Sequence, residues 1–157
     1  LEQKVYVVAD FPMLKNALLT GGDMTTFCTS KVDDMKKLFQ NKTDFNQNIS
    51  SWDVSNVSRM EYLFDGASNF NADIGNWDLQ SVNNAYAMFR NASSFNMNIG
   101  DWDVSNINNM IFMFYNASSF NQDLSKWCVQ NFSAQPIDFN TNSALSQNNL
   151  PIWGTCP

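Results

Sequence analysis

Three aspartates, Asp53, Asp78 and Asp103, stand one period apart in a chain that repeats itself every 25 residues. If the copies stack as neighbouring strands, their carboxylates line up about 4.8 Å apart, where like charges repel by roughly 1 kcal/mol in water and several-fold more in a drier setting. Such a column needs relief. A Ca²⁺ ion would supply it, because calcium takes about 6 to 8 oxygen ligands and Asp101 with Ser or Asn neighbours can add some. Splaying into solvent, or accepting backbone N–H groups at a turn, supplies it without a metal and is the favoured reading. No other cofactor is expected.

The three cysteines are the second chemical feature. Cys28 and Cys128 share a column four units apart, on the order of 19 Å at strand spacing, well beyond the roughly 7 Å between Cα atoms that a disulfide tolerates. Cys128 with Cys156 is the expected bridge, tying the C-terminal end to the last strand and leaving Cys28 free; three thiols in a reducing compartment are the alternative. Enzyme signatures are missing. The chain has no His, which removes the usual general base, the usual partner of a nucleophilic Ser or Cys, and the commonest zinc ligand. The cysteines lack C-x-x-C spacing, and no glycine loop for phosphate is present. Carboxylates stacked on an open surface have no burial to raise one pKa for glycoside hydrolysis. A non-enzyme is expected.

The elements that would position these residues follow from the repeat. FNQNISSWDVSN from Phe45, FNADIGNWDLQS from Phe70, FNMNIGDWDVSN from Phe95 and FNQDLSKWCVQN from Phe120 are copies of one unit, and a fixed period of roughly 20 to 50 residues marks a solenoid or array. Ile49-x-x-Trp52-x-Val54 follows the L-x-x-L-x-L pattern, which predicts a short strand burying Trp52 and Val54. Val57, Met60, Leu63 and Phe64 then draw an apolar stripe at helical offsets, repeated at Val82, Ala85, Met88, Phe89 and at Ile107, Met110, Met113, Phe114, which predicts a short helix in each unit. Ser55 or Asn56, Ser81 and Asn106 would cap the starts. Asn41, Gly66, Asn91 and Asn116 suit a left-handed residue at the helix stop. Asn46, Asn71, Asn96 and Asn121 would stack into an amide ladder.

One repeat domain over 1–157 is therefore expected, an α/β solenoid of short parallel strands and short helices coiled to the right. Residues 1–19 form an N-terminal cap, with a strand over Lys4 to Val8 and a helix from Asp10-Phe11-Pro12 to Gly21 or Gly22. Residues 20–44 are a degenerate unit, 45–69, 70–94 and 95–119 full units, and 120–157 a partial unit plus C-terminal cap, because Pro136 falls where the fifth helix should continue.

A formal net charge of -6 opposes phosphate backbones and anionic membranes. Lys31, Lys36, Lys37 and Lys42 are interleaved with Asp33 and Asp34 and read as a solvated helix face, so nucleic acid is not an expected partner. No apolar run approaches the roughly 20 residues of a membrane span, and Leu1 to Asp10 lacks signal-peptide architecture, as a mature segment would. Six Asn-x-Ser/Thr sequons, beginning at Asn41, Asn48, Asn56, Asn91, Asn116 and Asn131, arise from Asn-rich repeat chemistry, and glycosylation is the minority reading.

The unit F-N-x-x-I-x-x-W-D-V-S-N-V-x-x-M-x-x-M-F resembles the BspA-like leucine-rich-repeat surface protein family, closely over 45–119 and more loosely over 20–44 and 120–140. The resemblance implies a secreted or surface-attached protein, adhesion for some members, and no enzyme activity; it supplies no functional residues. The residues themselves point to the outward strand columns as the partner surface: Asp53, Asn76, Asp78, Gln80, Asp101, Asp103 and Ser105 would lie on a concave face. Tyr62, Tyr86, Phe112 and Tyr115 are expected as a contact layer between coils. The leading expectation is a monomeric module that recognises an extracellular protein or polysaccharide; a spacer displaying a neighbouring domain is the alternative.

Overall fold

Where the backbone donors of each copy go decides how the copies meet. In the computed structural model, which describes residues 6–157, the N–H groups of Met35, Lys37, Phe39 and Asn41 donate to the carbonyls of Arg59, Glu61, Leu63 and Asp65 at 2.7–3.0 Å. Between them, Leu38, Gln40 and Lys42 donate three residues back within their own copy, and Lys36 donates to Asp34 Oδ1. Every donor from Met35 to Lys42 is thus satisfied, half along the stack and half inside a turn. The arrangement recurs from Met60, Tyr62, Phe64 and Gly66 to the next copy, and again from Ala85, Ala87, Phe89 and Asn91. Parallel bridges Asp34 to Arg59 to Asn84 to Asn109 mark the same junctions.

These are the segments expected to be helices, and their backbone is a run of turns instead. Two physical facts exclude a helix here. Alternate N–H groups point to the neighbouring copy, so the bonds that would close helical turns are not made. Lys37, Tyr62, Ala87 and Phe112 also hold φ between 52° and 62°, a left-handed conformation that interrupts any right-handed helix. The apolar stripe is nevertheless buried as expected: Val57, Met60, Leu63 and Phe64 are all fully covered. Asn41, Gly66, Asn91 and Asn116 have the left-handed φ their residue types suggested. The segment expected as the Trp52 strand makes no ladder between copies; it turns, with Trp52 N–H on Ile49 O and Val57 N–H on Val54 O.

The core is two columns of phenylalanine beside one of tryptophan. Phe39, Phe64, Phe89 and Phe114 stack ring on ring at 5.2, 5.6 and 5.5 Å, and each lies 3.8–4.2 Å from the Phe that opens the next unit. Each buried indole needs a partner for its N–H. Trp52, Trp77, Trp102 and Trp127 find it in the carbonyls of Met24, Ile49, Ile74 and Ile99, one copy earlier, at 3.0–3.3 Å. The asparagine ladder is present, on the surface: Asn46, Asn71 and Asn96 each accept at Oδ1 the backbone N–H of the next ladder Asn.

At the N-terminal end, β1 (Val7–Val8) pairs in parallel with β2 (Phe27–Cys28); Lys4 and Val5 of the expected strand lie outside the described residues. Helix α1 (Phe11–Thr20) starts where Asp10 accepts the Met13 N–H and stops at left-handed Gly21, and its Leu14 is buried. At the other end the fifth unit does not break off. Phe112, Phe114 and Asn116 donate to Ile137, Phe139 and Thr141, one residue later than in earlier copies, so Pro136 marks an insertion that the ladder absorbs. Residues 145–157 then begin a further course, with Ser146 N–H on Asn121 Oδ1 and the carbonyls of Asn149 and Thr155 accepting from Leu124 and Val129. The Cys128–Cys156 disulfide fastens this course to the one beneath it. Cys28 is free and half-buried.

Candidate functional site

The aspartate column lies on the surface and is engaged in its own turns. Asp53 Oδ1 accepts the Ser55 N–H at 3.1 Å and hydroxyl at 2.6 Å, Asp103 Oδ1 treats Ser105 in the same way, and Asp78 Oδ1 accepts the Gln80 N–H at 3.0 Å. The serine hydroxyl, with the backbone N–H behind it, holds the Asp53 and Asp103 carboxyls below the usual range. Relief thus comes from donors within each copy. Among the described residues no three acids, cysteines or histidines are grouped to hold a metal, so this geometry lends the calcium reading no support. Of the remaining candidates, Asn76 and Gln80 are exposed and Ser105 half-buried, while Asp101 pairs with Lys126 across one junction at 2.9 Å. Asn76 and Asp101 line one shallow hollow together with Asp73 and Asn98. The structure leaves Asp53, Asn76, Asp78, Gln80, Asp101 and Asp103 exposed, and of the candidates only Asn76 and Asp101 share a hollow.

A denser arrangement sits on the ladder segments. Asp65, almost fully buried, receives both arms of Arg90 from the next copy at 2.8 Å each, Gln40 from the previous copy at 2.9 Å, and Asn91 at 3.4 Å. Burial pushes its carboxyl up, but these donors outweigh that and hold it below the usual range. One step along, Glu61 Oε1 accepts from Arg59 and Asn84, and Arg59 also reaches Asp34 at 3.5 Å; Glu61 Oε2 is buried without a hydrogen-bond partner. Beside these pairs runs a file of half-exposed rings: Tyr62 meets Tyr86 at 5.1 Å, Tyr86 meets Phe112 at 5.8 Å and Phe112 meets Tyr115 at 5.7 Å, all edge to face. Lys37 and Arg90 each lie over the Tyr62 ring.

The family model described as "Mycoplasma protein of unknown function, DUF285" matches the chain over residues 11–127 and, in a second placement, over 60–153. The chain belongs to the DUF285 family. The two placements overlap as a repeat permits. No curated protein and no solved structure matches this DUF285 chain, and among its described residues no helix is long and apolar enough to cross a membrane.

Sequence reading placed the rings of this DUF285 protein between coils, as observed, but missed its ion pairs. A helix at 57–64 would set Arg59 and Glu61 on different sides, since residues two apart on a helix do not face each other. The available signal was vertical: Gln40, Asp65, Arg90 and Tyr115 form one column 25 residues apart, and opposite charges adjacent in a column predict a pair across the junction.

Proposed function

We propose that this DUF285 chain is a leucine-rich-repeat-like solenoid of the BspA-like kind, and that it serves as a non-enzymatic recognition module, secreted or on a cell surface. Its partner is an extracellular protein or polysaccharide, gripped on the face that carries the rings and ion pairs. The observation behind this choice is the contrast between columns. Core columns repeat the same residue type from copy to copy, whereas Lys36, Glu61, Tyr86 and Ile111, or Gln40, Asp65, Arg90 and Tyr115, change at every step. A scaffold that had only to hold itself together has no need of such variety, and repeat proteins present extended surfaces of this kind to ligands. Half-exposed tyrosines beside arginines are also the residue types enriched where interfaces bind most strongly. The disulfide supports an oxidising compartment.

The outward Asp53, Asp78 and Asp103 columns rank second, because their carboxylates are already committed to turns. Capture from a panel of matrix proteins and polysaccharides separates the two faces. Tyr86→Ala with Arg59→Glu should weaken capture at least about tenfold, the loss of one good contact, while Asp78→Lys with Asp103→Lys leaves it in place. The reverse pattern moves binding to the aspartate columns, and folded protein that captures nothing across the panel supports a structural spacer instead.

A further inference from the structure

The ladder between copies is interrupted at one place inside the stack. At the first three junctions the N–H groups of Ser58, Asn83 and Asn108 donate to the carbonyls of Asp33, Ser58 and Asn83, and those of Met35, Met60 and Ala85 donate to the carbonyls of Arg59, Asn84 and Asn109, all at 2.9–3.0 Å. Each junction thus seats two successive residues in a parallel bridge, the first giving its N–H and the second its C=O. Between the fourth and fifth units the pattern stops. The Asn108 carbonyl and the Met110 N–H bond to nothing.

The extra residue of the fifth unit is the cause. Asn131 Nδ2 still reaches the Ser105 carbonyl in register, as Asn106 Nδ2 reaches that of Gln80, but Ile137 accepts from Phe112 one residue late, so the surplus lies between Asn131 and Ile137. Pro136 has no N–H to give there, and the backbone groups of Ser133, Ala134 and Gln135 make no hydrogen bond. The one side-chain tie of this loop is Gln135 Nε2 on Asn140 Oδ1. Beside it a groove of about 560 Å³ opens between the two units, within the roughly 300–1,000 Å³ of ligand sites. Met110, Ile111, Phe132, Pro136 and Ile137 give it apolar walls, and no lining residue is charged. Ile137 is 67% exposed, and Phe132 is only half-buried although Val57, Val82 and Ile107 of its column are fully covered.

We propose that this groove takes an extended, uncharged segment of a protein partner, whose backbone completes the missing bridge. One residue of the guest donates its N–H to the Asn108 carbonyl, the C=O of the next accepts the Met110 N–H, and an apolar side chain packs against Ile111, Phe132 and Ile137. The earlier junctions show what fits such a slot, since Ser58-Arg59, Asn83-Asn84 and Asn108-Asn109 fill it there. Adding a strand to an unpaired edge is also a recurrent mode of peptide capture. Met110 is fully covered in the free protein, so the loop over 133–136 moves aside as the guest enters, which its lack of backbone bonds permits. The proposal rests on the reading of the chain as a recognition module, because Ile111 continues the Lys36, Glu61 and Tyr86 column, and it narrows the partner to a protein.

Random heptapeptides displayed on phage and selected on the folded wild-type chain test this. Enriched sequences should carry apolar residues at alternate positions, and the best of them, made synthetically, should shift the Met110 and Ser133 amide signals in a nitrogen-15 NMR titration. N-methylation scanned along that peptide should find one backbone nitrogen whose loss raises Kd at least about tenfold, and Ile137→Asp should do the same from the protein side. Deleting Ala134 restores the register of the earlier junctions and should abolish peptide binding by closing the groove; the exposed position of Ile137 keeps the test open if the deletion does not fold. No enriched peptide, a Met110 amide that does not move, or affinity indifferent to both N-methylation and Ile137→Asp overturns the proposal. Capture of a polysaccharide alone from the panel above, or of a protein untouched by Ile137→Asp, also overturns it and leaves the recognition module standing. The selection needs no partner from that panel, so a silent panel and an empty groove are separate results.

Discussion

At the scale of single residues, the indole N–H shows what the repeat demands. Trp77 donates to Ile49 O from a buried position, so Trp77→Phe removes one of the two donors on that carbonyl, the Trp52 N–H remaining, and should cost about 1 kcal/mol beyond the lost packing. Trp153 stands 26 residues after Trp127 rather than 25, and its buried Nε1 has no partner. The register is 25 residues at Ser146 and Asn149 and 26 at Thr155, so the extra residue that displaces Trp153 lies between Asn149 and Trp153. Trp153→Phe therefore loses no bond, and its urea midpoint should fall clearly less than that of Trp77→Phe. Equal losses would mean that packing alone explains the tryptophans. The Asp65–Arg90 pair also joins two copies, but by side chains that are not repeated in the other copies, and it is legible only down a column.

At the scale of the element, the unit is a coil of turns whose left-handed residues recur at fixed places. Asparagine and glycine in the Asn41 column announced themselves, because few other residues accept that conformation. Lys37, Tyr62, Ala87 and Phe112 did not: nothing in their side chains favours positive φ, and the stack imposes it by recruiting alternate N–H groups into the junction. Helical periodicity was a true signal of burial and a false one of backbone, since consecutive three-residue turns also place residues 57, 60, 63 and 64 on one side. Gly66 tests the element directly. Its φ is 71°, and a Cβ there would sit 2.5 Å from Asn41 Oδ1, so Gly66→Ala should cost about 2 kcal/mol through left-handed strain and the displaced amide. A shifted urea midpoint at unchanged slope is the expected reading.

At the scale of the whole molecule, stability is close to a sum over units and junctions, because each copy touches mainly its neighbours. The last course, residues 145–157, has only one neighbouring course and is held covalently by Cys128–Cys156, a span of 28 residues. Cys156→Ser should lower stability by about 3 kcal/mol, and limited proteolysis should then cut first after residue 144, with the preceding copies intact. Cleavage spread evenly over the units would show that the bridge is not a local fastening.

Much was already written in the chain: the 25-residue period, the Phe, Ile, Trp and Val columns that are buried, the left-handed Asn and Gly positions, the asparagine ladder, and the pairing of Cys128 with Cys156. All of these depend on residue type at a fixed period, or on distance along the stack, and a sequence carries both. The backbone between those positions, the Arg90 clamp on Asp65, and the placing of the junction on residues 35–41 rather than at the tryptophans needed the folded protein. They depend on which of two donors, one inside the copy and one in the next, each N–H finds nearer, and that choice exists only once the copies have met.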